Sequence, residues 1–564
     1  MLLVLLSCSE AQHVSRYWRA ARRSPSYKTS IPRRQSLSFT PSRMKSLSLI
    51  LALLAGFAQA ATNDVTLDIF NVVAAPDGFV RSLVTANGTF PGPLIKATKG
   101  DTVRVTVNNK LTDPTMRRST SINFDGIFFD TENSYNEGTP FVTSCPLGPN
   151  TSYTYELPLV QTGSYWYHSD LSVQYGDGLR GPFIIYDPDD PQAHLYDVDD
   201  ESTIWQVGDW WHNTSVANLA SYIPSELIPV SDSGTFNGAG RYNGGPIVPY
   251  AVSNVKSGVR YRFRIINIST RSSFTMSIDN HSMTIIAADG VPLVSHEVNE
   301  FIMHAGQRYD VVVTANQPVG NYWINAILSG GNPAHNLNLN ATLGRGVFRY
   351  EGAPNEEPTT PMTLGPVNPN FLNEGDLRPL FPEPAPIPTL NFTLSPAMNV
   401  GGPAVWNLNV SDTQYISPTV PTLVKVLDGV VNASGFNSTE NTFIIPKGAV
   451  VQVTFPPDPD DELHPFHLHG NNYYVIKANQ SDEINLTNPL RRDVTALGNG
   501  GTILRFTTDR PGPWFFHCHI FYHLAAGLGS VMLEDAVSVE HETKPTKDWD
   551  DLCAAYNALP PELQ

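Results

Sequence analysis

The sequence of 564 residues is poor in charge, since Asp, Glu, Lys and Arg together make up only 16% of it. It also lacks any long run rich in Ala, Glu, Lys and Leu before the extreme C-terminus, which argues against a mainly helical protein. Proline and glycine are abundant instead, with 46 and 41 residues, as is typical of turn-rich β proteins. The chain is too long for one ordinary hydrophobic core, so we expect two to four domains.

Long hydrophobic runs are scarce as well. One covers residues 47–57, just after Met44 and just before an Ala-Gln-Ala sequence, which is the pattern of a secretory signal peptide with its cleavage site. That run is too short to span a bilayer comfortably, and no second run follows it, so we expect no membrane anchor. We interpret residues 1–60 as an N-terminal extension plus signal peptide, with Met44 as the true start. A genuine targeting extension over residues 1–43 is the alternative.

Basic residues are the third scarcity. Residues 61–564 hold 27 basic and 52 acidic side chains, a formal net charge of −25, and so acidic a protein is a poor partner for nucleic acid. Sequons for N-glycosylation are dense, and together with the signal pattern they predict a secreted, extracellular glycoprotein. These sequons include those at Asn87, Asn150, Asn213, Asn391, Asn437 and Asn485.

Two types of strand with period-2 alternation recur three times along the chain. The first type begins at Gly100, Gly258 and Gly448, and the second begins at Gly163, Gly320 and Gly512. The spacing from the first type to the second is 63, 62 and 64 residues in the three copies. We therefore predict an all-β chain of three related β-sandwich modules. Their predicted bounds are residues 61–188, 189–355 and 356–564.

Six histidines and one cysteine fall in two short motifs of the third module. They are His464, His467 and His469 in the first motif, and His517, Cys518, His519 and His523 in the second. A thiolate with two imidazoles is the trigonal ligand set of blue copper. Because side chains alternate along a strand, Cys518 faces one way while His517 and His519 face the other. A lone free cysteine among aromatic residues is usually part of a core, but this combination predicts a copper site.

With these motifs the sequence resembles the multicopper oxidases, and within them the fungal laccases, over residues 62–564. The resemblance implies three cupredoxin-like Greek-key domains that bind up to four copper ions per chain. It assigns the mononuclear type 1 copper to His464, Cys518 and His523. Leu528 falls at the axial position, where the absence of a thioether should raise the reduction potential.

The resemblance also implies two acidic residues with catalytic roles. Asp232 matches the acid of the phenol pocket, which accepts the phenolic proton as the electron leaves. On its own sequence Asp232 would be an ordinary turn residue. Glu137 matches an acid beside the oxygen-reducing cluster, whereas Phe521 stands where a second, proton-relaying acid is usual. One disulfide is implied, and it joins Cys145 to Cys553.

The trinuclear copper cluster of the family takes eight histidines, and three of these are replaced in this sequence. The positions that keep histidine are His168, His467, His469, His517 and His519, and the replaced positions are Asn123, Asp125 and Asp170. The resemblance places His467 and Asn123 at the type 2 copper. It places His168, His519 and Asp125 at one type 3 copper, and His469, His517 and Asp170 at the other. A neutral amide oxygen is a poor copper ligand, and carboxylates hold Cu(I) weakly. The three replaced positions are therefore doubtful ligands.

Two functions follow from these expectations. The first is a secreted, monomeric laccase that oxidises phenols or aromatic amines by one electron at a time and reduces O₂ to water. The alternative is a copper-binding, oxidase-deficient homologue with an impaired trinuclear site, acting in electron transfer or as a partner subunit. Ferroxidase and ascorbate oxidase are weaker alternatives, because the missing anchor counts against the former and Asp232 counts against both.

Overall fold

The computed structural model describes residues 61–361, 370–399, 401–408, 413–458 and 462–564. Most of the regular structure in these residues is β-strand, with a few short helices, so the all-β prediction is confirmed. The predicted extension and signal peptide lie outside the described residues.

Two four-stranded sheets make up the first predicted module. Their strands are β1 (Thr62–Ala74), β2 (Arg81–Ala86), β3 (Ile95–Thr98), β4 (Thr102–Asn109), β5 (Asn123–Asp125), β6 (Ser152–Pro158), β7 (Gly163–His168) and β8 (Arg180–Tyr186). One sheet has the order β2-β1-β4-β6 and the other the order β3-β8-β7-β5. In β4 the alternating residues Val103, Val105 and Val107 are fully buried, as the period-2 pattern predicts.

Twelve strands form two sheets in the second predicted module. They are β9 (Ile204–Trp210), β10 (Ser233–Phe236), β11 (Ala239–Gly240), β12 (Val252–Val255), β13 (Arg260–Asn267), β14 (Ser273–Ile278), β15 (Met283–Ala288), β16 (Val291–Val298), β17 (Glu300–Met303), β18 (Arg308–Thr314), β19 (Asn321–Ser329) and β20 (Arg345–Tyr350). The seven-stranded sheet has the order β11-β10-β9-β13-β18-β15-β16, and the five-stranded sheet has the order β12-β20-β19-β14-β17.

The third predicted module contains two five-stranded sheets and one two-stranded sheet. The strands are β21 (Leu390–Thr393), β22 (Ala397–Asn399), β23 (Val405–Asn407), β24 (Thr442–Ile445), β25 (Val450–Phe455), β26 (His464–Leu468), β27 (Tyr473–Lys477), β28 (Leu490–Arg492), β29 (Val494–Leu497), β30 (Thr502–Thr507), β31 (Gly512–Cys518) and β32 (Gly529–Glu534). The orders are β21-β25-β30-β27-β28, β24-β32-β31-β26-β29 and β22-β23.

The recurring strand types of the sequence occupy equivalent places in the three sets of sheets. The first type falls on β4, β13 and β25, and the second type falls on β7, β19 and β31. Every sheet draws its strands from a single predicted module. The residue bounds of the three modules remain a prediction.

Helices are short and lie mostly near the C-terminal end. They are α1 (Ser215–Ser225), α2 (Thr422–Leu427), α3 (Phe521–Ala525), α4 (Ala536–Glu542) and α5 (Lys547–Asn557). The side chain of Thr546 accepts a hydrogen bond from the backbone of Trp549 at the start of α5, which is a standard N-cap. The disulfide implied between Cys145 and Cys553 is present and ties α5 to the first module. In the part of the chain that the structure describes, no helix is long and apolar enough to cross a membrane.

A buried ion pair connects all three modules. Arg308 in β18 donates hydrogen bonds of 2.6 Å to each carboxylate oxygen of Asp493, and neither side chain is exposed to solvent. The same guanidinium group donates to the backbone carbonyls of Ser164 in β7 and of Gly306. Because bidentate pairs of this kind fix both partners in position, Arg308 sets the relative placement of three chain segments.

We expect the substitution Arg308→Met to destabilise the protein strongly. It would leave Asp493 buried without its charged partner, and removal of one partner of a buried ion pair typically costs about 3–5 kcal/mol. The thermal unfolding midpoint, followed by tryptophan fluorescence, should fall by several degrees. The control is Lys547→Ala, which breaks an exposed pair with Asp551 and should leave the midpoint unchanged. Equal midpoints for the two variants would show that the buried pair is unimportant.

Candidate metal centre

Three predicted ligands of the third module meet in the interior. The Sγ atom of Cys518 lies 3.8 Å from Nδ1 of His464 and 3.8 Å from Nδ1 of His523. All three ligand atoms lie within 4.8 Å of one another, and all three residues are buried. We call Cys518, His464 and His523 the thiolate group. Its members are the residues that the sequence predicts for a blue-copper site.

Neighbouring strands and one short helix bring the thiolate group together. His464 begins β26 and Cys518 ends β31, and these strands pair side by side with Phe466 opposite Cys518. His523 lies on α3, which follows β31 after a short turn. Leu528, at the predicted axial position, is fully buried and accepts a hydrogen bond from the backbone N–H of Cys518. The residue at the position that the resemblance implies for the axial ligand is therefore aliphatic and buried.

The interior also controls the protonation of the thiolate group. Burial raises the pKa of the Cys518 thiol, and burial together with His464 and Arg271 lowers the pKa of His523 well below its usual range. Trp406 lies over the His523 ring at a centroid distance of 4.2 Å. The imidazole of His523 is therefore neutral and has a lone pair available, while Cys518 gives up its proton only when a cation replaces it.

Asp232 lies in a polar cluster. Its Oδ1 atom accepts hydrogen bonds from the side-chain amides of Asn336 and Asn338, at 3.0 and 2.8 Å. Its Oδ2 atom accepts from the backbone N–H of His212 at 2.7 Å. The His212 ring in turn places Nε2 2.9 Å from Asp77 Oδ2. Three hydrogen bonds thus hold the Asp232 side chain in one orientation.

An arginine links the loop before Asp232 to the strand of His464. Arg271 donates to the carbonyl of Pro229 at 2.6 Å and forms two bonds of 2.8 and 2.9 Å with the carboxylate of Glu462. Glu462 precedes His464 by two residues. Neither His212 nor Arg271 can be predicted from the sequence, because no local motif around either residue marks it as functional.

A second set of donors lies in the neighbouring pocket. Asp125 Oδ1 is 3.1 Å from His168 Nε2, and Asp125 Oδ2 is 3.0 Å from His519 Nε2. These three side chains are fully buried, and their ligand atoms lie within 4.8 Å of one another. His467 Nε2 lies 3.5 Å from Asp125 Oδ1. We call Asp125, His168 and His519 the carboxylate group.

Hydrogen bonds fix the tautomer of four imidazoles around this pocket. His168, His467 and His517 each place Nδ1 2.9–3.0 Å from a backbone carbonyl oxygen. A carbonyl only accepts, so Nδ1 of each ring carries a proton and Nε2 is the nitrogen left to bind a metal ion. His469 directs Nδ1 at the Glu137 carboxylate in the same way. The four Nε2 atoms face the interior of one pocket, as in metal-binding histidines whose second nitrogen is hydrogen-bonded.

The other replaced positions are arranged differently. The Nδ2 atom of Asn123 donates to Glu137 Oε1 at 2.5 Å, and its Oδ1 atom has no hydrogen-bond partner. His469 Nε2 lies 3.0 Å from His517 Nε2. Asp170 is buried, but neither of its carboxylate oxygens makes a hydrogen bond, and within the described ranges it belongs to no group of three close ligands. The predicted set of His469, His517 and Asp170 is therefore not as closely assembled as the carboxylate group.

Burial and charge together set the protonation of the pocket. Burial alone would raise the pKa of Asp125, but His168 and His467 hold it well below its usual range. Burial would lower the pKa of His467, but Asp125 and Asp493 raise it to about 10. The pKa of His517 lies well below its usual range, because burial and the neighbouring histidines both lower it. A cation that binds to Nε2 of His467 therefore displaces a proton.

Glu137 connects the first module to this pocket. Its carboxylate accepts hydrogen bonds from the backbone and side chain of Thr139 and from the hydroxyl of Thr143, each at 2.9 Å. Burial would raise the pKa of Glu137, but His469 and these hydrogen bonds lower it. Glu137 thus stays ionised and holds the His469 ring in its tautomer.

The fit of the donors to copper differs between the two groups. The thiolate group has the soft ligand and the two imidazoles that a blue-copper ion requires. The pocket of the carboxylate group has imidazole lone pairs directed inwards, but oxygen donors occupy three of its predicted positions. The thiolate group therefore fits copper well, and the second pocket fits a cluster of three copper ions poorly.

Models of one protein family match most of the chain. The models described as multicopper oxidase match residues 69–190, 201–353 and 415–538. Laccase-1 of Agaricus bisporus is 45% identical over 531 residues, which are 93% of this chain and 100% of that protein. Laccase-4 of Trametes villosa is 41% identical and covers 92% of this chain and 99% of its own length.

Solved structures resemble the fold at similar coverage. The laccase from Botrytis aclada superimposes with a TM-score of 0.78 at 30% identity, over 89% of this chain and 93% of that chain. Fet3p, described as a multicopper oxidase that functions in iron import, has a TM-score of 0.78 at 26% identity, over 88% of this chain and 95% of its own.

Asp170 gives the metal-free protein a pH-dependent stability. Burial raises its pKa to about 6 from an ordinary value of 3.8. Below about pH 4 the carboxyl is neutral in both the folded and the unfolded chain, and above pH 6 it is charged in both. The free energy of unfolding should thus fall as pH rises from 4 to 6, by roughly 3 kcal/mol for this group.

The substitution Asp170→Asn should remove this decline. In metal-free protein, denaturant unfolding at pH 7 should show the variant to be more stable than the wild type, and the two should converge below pH 4. Parallel pH profiles for the two proteins would contradict the assignment.

Proposed function

The chain belongs to the multicopper oxidase family and is a laccase-type oxidase, and we propose that substrate electrons enter it at His464, Cys518 and His523. The observation that carries this proposal is the thiolate group itself. It combines one cysteine and two histidines, all buried, with ligand atoms within 4.8 Å of one another. Bound copper would supply the one-electron acceptor at this group and the oxygen-reducing chemistry at the second pocket.

The two pockets are joined through Cys518. His517 and His519 are its neighbours in sequence, and the carbonyl of Cys518 accepts a hydrogen bond of 2.9 Å from His517 Nδ1. The thiolate of one pocket is therefore connected to an imidazole of the other by covalent bonds and one short hydrogen bond.

We assign proton transfer from phenolic substrates to Asp232. Loss of one electron makes a phenol strongly acidic, so a carboxylate beside the substrate assists the step by accepting the proton. Asn336, Asn338 and His212 orient the carboxylate. Arg271 keeps its loop next to the strand of His464. The substrate class is small phenols and aromatic amines, with O₂ as the final acceptor.

Secretion is also part of the proposal. The asparagines of five of the six sequons named above are exposed, namely Asn87, Asn150, Asn213, Asn391 and Asn437, and Asn485 is half-buried. The Cys145–Cys553 disulfide suits an oxidising compartment. The relatives at 41–45% identity are fungal laccases. We propose that the protein is secreted and acts as a monomer.

The second candidate function is a copper-binding homologue that reduces O₂ poorly. The observation in its favour is that Asn123, Asp125 and Asp170 provide oxygen atoms where the family has imidazoles. Carboxylates hold Cu(I) weakly, and a cluster that cycles through its reduced state depends on Cu(I). This alternative is not better supported than the oxidase.

The substitution Cys518→Ser tests the site of electron entry. The wild type should show the thiolate-to-copper absorption band and consume O₂ when a simple phenol is added. The variant should lose the band, bind one copper ion fewer per chain by elemental analysis, and oxidise no phenol. Its thermal unfolding midpoint provides the folding control. Phenol oxidation by the variant at the wild-type rate would refute the proposal, and a wild type with one copper and no O₂ uptake would support the second candidate.

The substitution Asp232→Asn tests the proton acceptor. We expect kcat/KM for a phenol to fall by roughly 10²-fold, the lower end of what a general base contributes. The control substrate is ferrocyanide, which gives up an electron without a proton and should be oxidised at the wild-type rate. Equal losses on both substrates would mean that Asp232 supports the structure of the thiolate group instead.

A further inference from the structure

The carboxylate group differs from the thiolate group in the chemistry of its donors. It consists of two imidazole nitrogens and one carboxylate, at 3.1 Å for His168 and 3.0 Å for His519 from the oxygens of Asp125. It contains no sulfur. Two histidines and one carboxylate form the ligand set that proteins use for divalent ions such as Fe²⁺, whereas soft sulfur ligands select Cu(I).

The nitrogen and oxygen donors of the carboxylate group point at one another within one buried site. His168 donates its Nδ1 proton to the carbonyl of Ser169, so Nε2 is the ring nitrogen that faces Asp125. His467 Nε2 makes no hydrogen bond, is fully buried, and lies 3.5 Å from Asp125 Oδ1. A proton or a metal ion between such a nitrogen and a carboxylate oxygen satisfies both atoms, and a bound metal ion takes the place of the proton. His467 is therefore available as a fourth donor.

The surroundings hold the carboxylate group rigidly and exclude water. Trp166 and Tyr175 lie against the His168 ring at centroid distances of 4.4 and 4.7 Å. Phe521 contacts the rings of both histidines, at 5.6 Å for His168 and 5.4 Å for His519. These aromatic residues leave the protein donors as the main source of ligands and fix the orientation of both imidazoles.

The backbone beside the carboxylate group leaves no room for a side chain at one position. Gly306 has φ of +83°, and a Cβ atom there would lie 2.5 Å from Cδ2 of His519. The glycine thus allows the His519 ring to approach the backbone and reach Asp125. A built, enclosed site with fixed ligands binds ions according to donor type, because its donors cannot rearrange for a different ion.

We propose that Asp125, His168 and His519, with His467 as a fourth donor, bind one divalent ion of the Fe²⁺, Co²⁺ and Zn²⁺ class. The site keeps this ion under reducing conditions that convert copper to Cu(I) and release it. The hard carboxylate is the reason, because it binds divalent ions well and Cu(I) weakly. The centre then holds a mixed complement of metals, with copper at the thiolate group.

Cobalt is a suitable probe, because its absorption spectrum reports its ligands. The experiment uses full-length protein under anaerobic conditions, with ascorbate and a Cu(I) chelator present and with Co²⁺ added. The wild type should retain one Co²⁺ per chain with weak d–d bands, without the intense thiolate band that Co²⁺ at Cys518 would give. Elemental analysis after gel filtration gives the stoichiometry.

Three variants make the test specific. Asp125→Ala should weaken Co²⁺ binding by roughly 100-fold or more, because even outer partners of metal ligands are worth about 10–100-fold. Glu534→Gln is the matched control, since Glu534 is a buried carboxylate on β32 that belongs to neither donor group, and it should bind Co²⁺ like the wild type. Asp125→His restores an imidazole and should retain Cu(I), which the wild type loses.

Several outcomes would overturn the proposal. These are a wild type that retains no Co²⁺, equal Co²⁺ binding by Asp125→Ala and the wild type, and equal retention of Cu(I) by Asp125→His and the wild type. Thermal midpoints show whether each variant is folded, and the wild-type result stands without any variant. Because the readout is metal binding, it is independent of phenol oxidation, so failure here is distinguishable from failure of the proposed oxidase site.

Discussion

The bidentate pair between Arg308 and Asp493 is the interaction on which the rest of the metal centre depends. Its charges neutralise each other where neither is exposed to solvent, so both must be present for either to be tolerated. Asp493 offers its backbone carbonyl to Nδ1 of His467, and Arg308 holds the carbonyl of Gly306, beside which the His519 ring packs. A single guanidinium group therefore positions two imidazoles of the pocket through backbone atoms that bear no chemistry themselves.

The same low-dielectric interior produces opposite effects at the two donor groups. At the thiolate group burial keeps His523 neutral and Cys518 protonated, so the group is ready to bind a soft cation. At the carboxylate group the charge of Asp125 attracts protons to His168 and His467. Asp125 stands where the resemblance implies a histidine. It therefore changes the charge of the metal-free pocket as well as the set of possible ligands.

Much of the fold and of the thiolate group could be predicted because the information is local. Alternating strands repeat at nearly constant spacing, and His464, Cys518 and His523 lie in motifs on adjacent strands, so pairing of β26 with β31 suffices to assemble them. The looser arrangement of Asp170, His469 and His517 could not be predicted. This arrangement depends on the packing of a loop from the first module against strands of the third, and no single sequence motif predicts such packing.

The polar cluster around Asp232 shows the same limit. His212, Asn336 and Asn338 come from three separate segments, and each is an ordinary polar residue in its own neighbourhood. Only the folded backbone turns them into a set of donors aimed at one carboxylate. Whether Asp232 is an ordinary turn residue or a proton acceptor therefore depends on its tertiary contacts.

The disulfide between Cys145 and Cys553 makes a covalent ring of everything between those residues. The two halves of the second pocket come from the first and third modules, since Asp125 and His168 belong to one and His467 and His519 to the other. Asp125 precedes Cys145 and lies outside the ring, whereas His168, His467 and His519 lie within it. The ring limits how far the first and third modules can separate, so it favours reassembly of the pocket around an incoming ion.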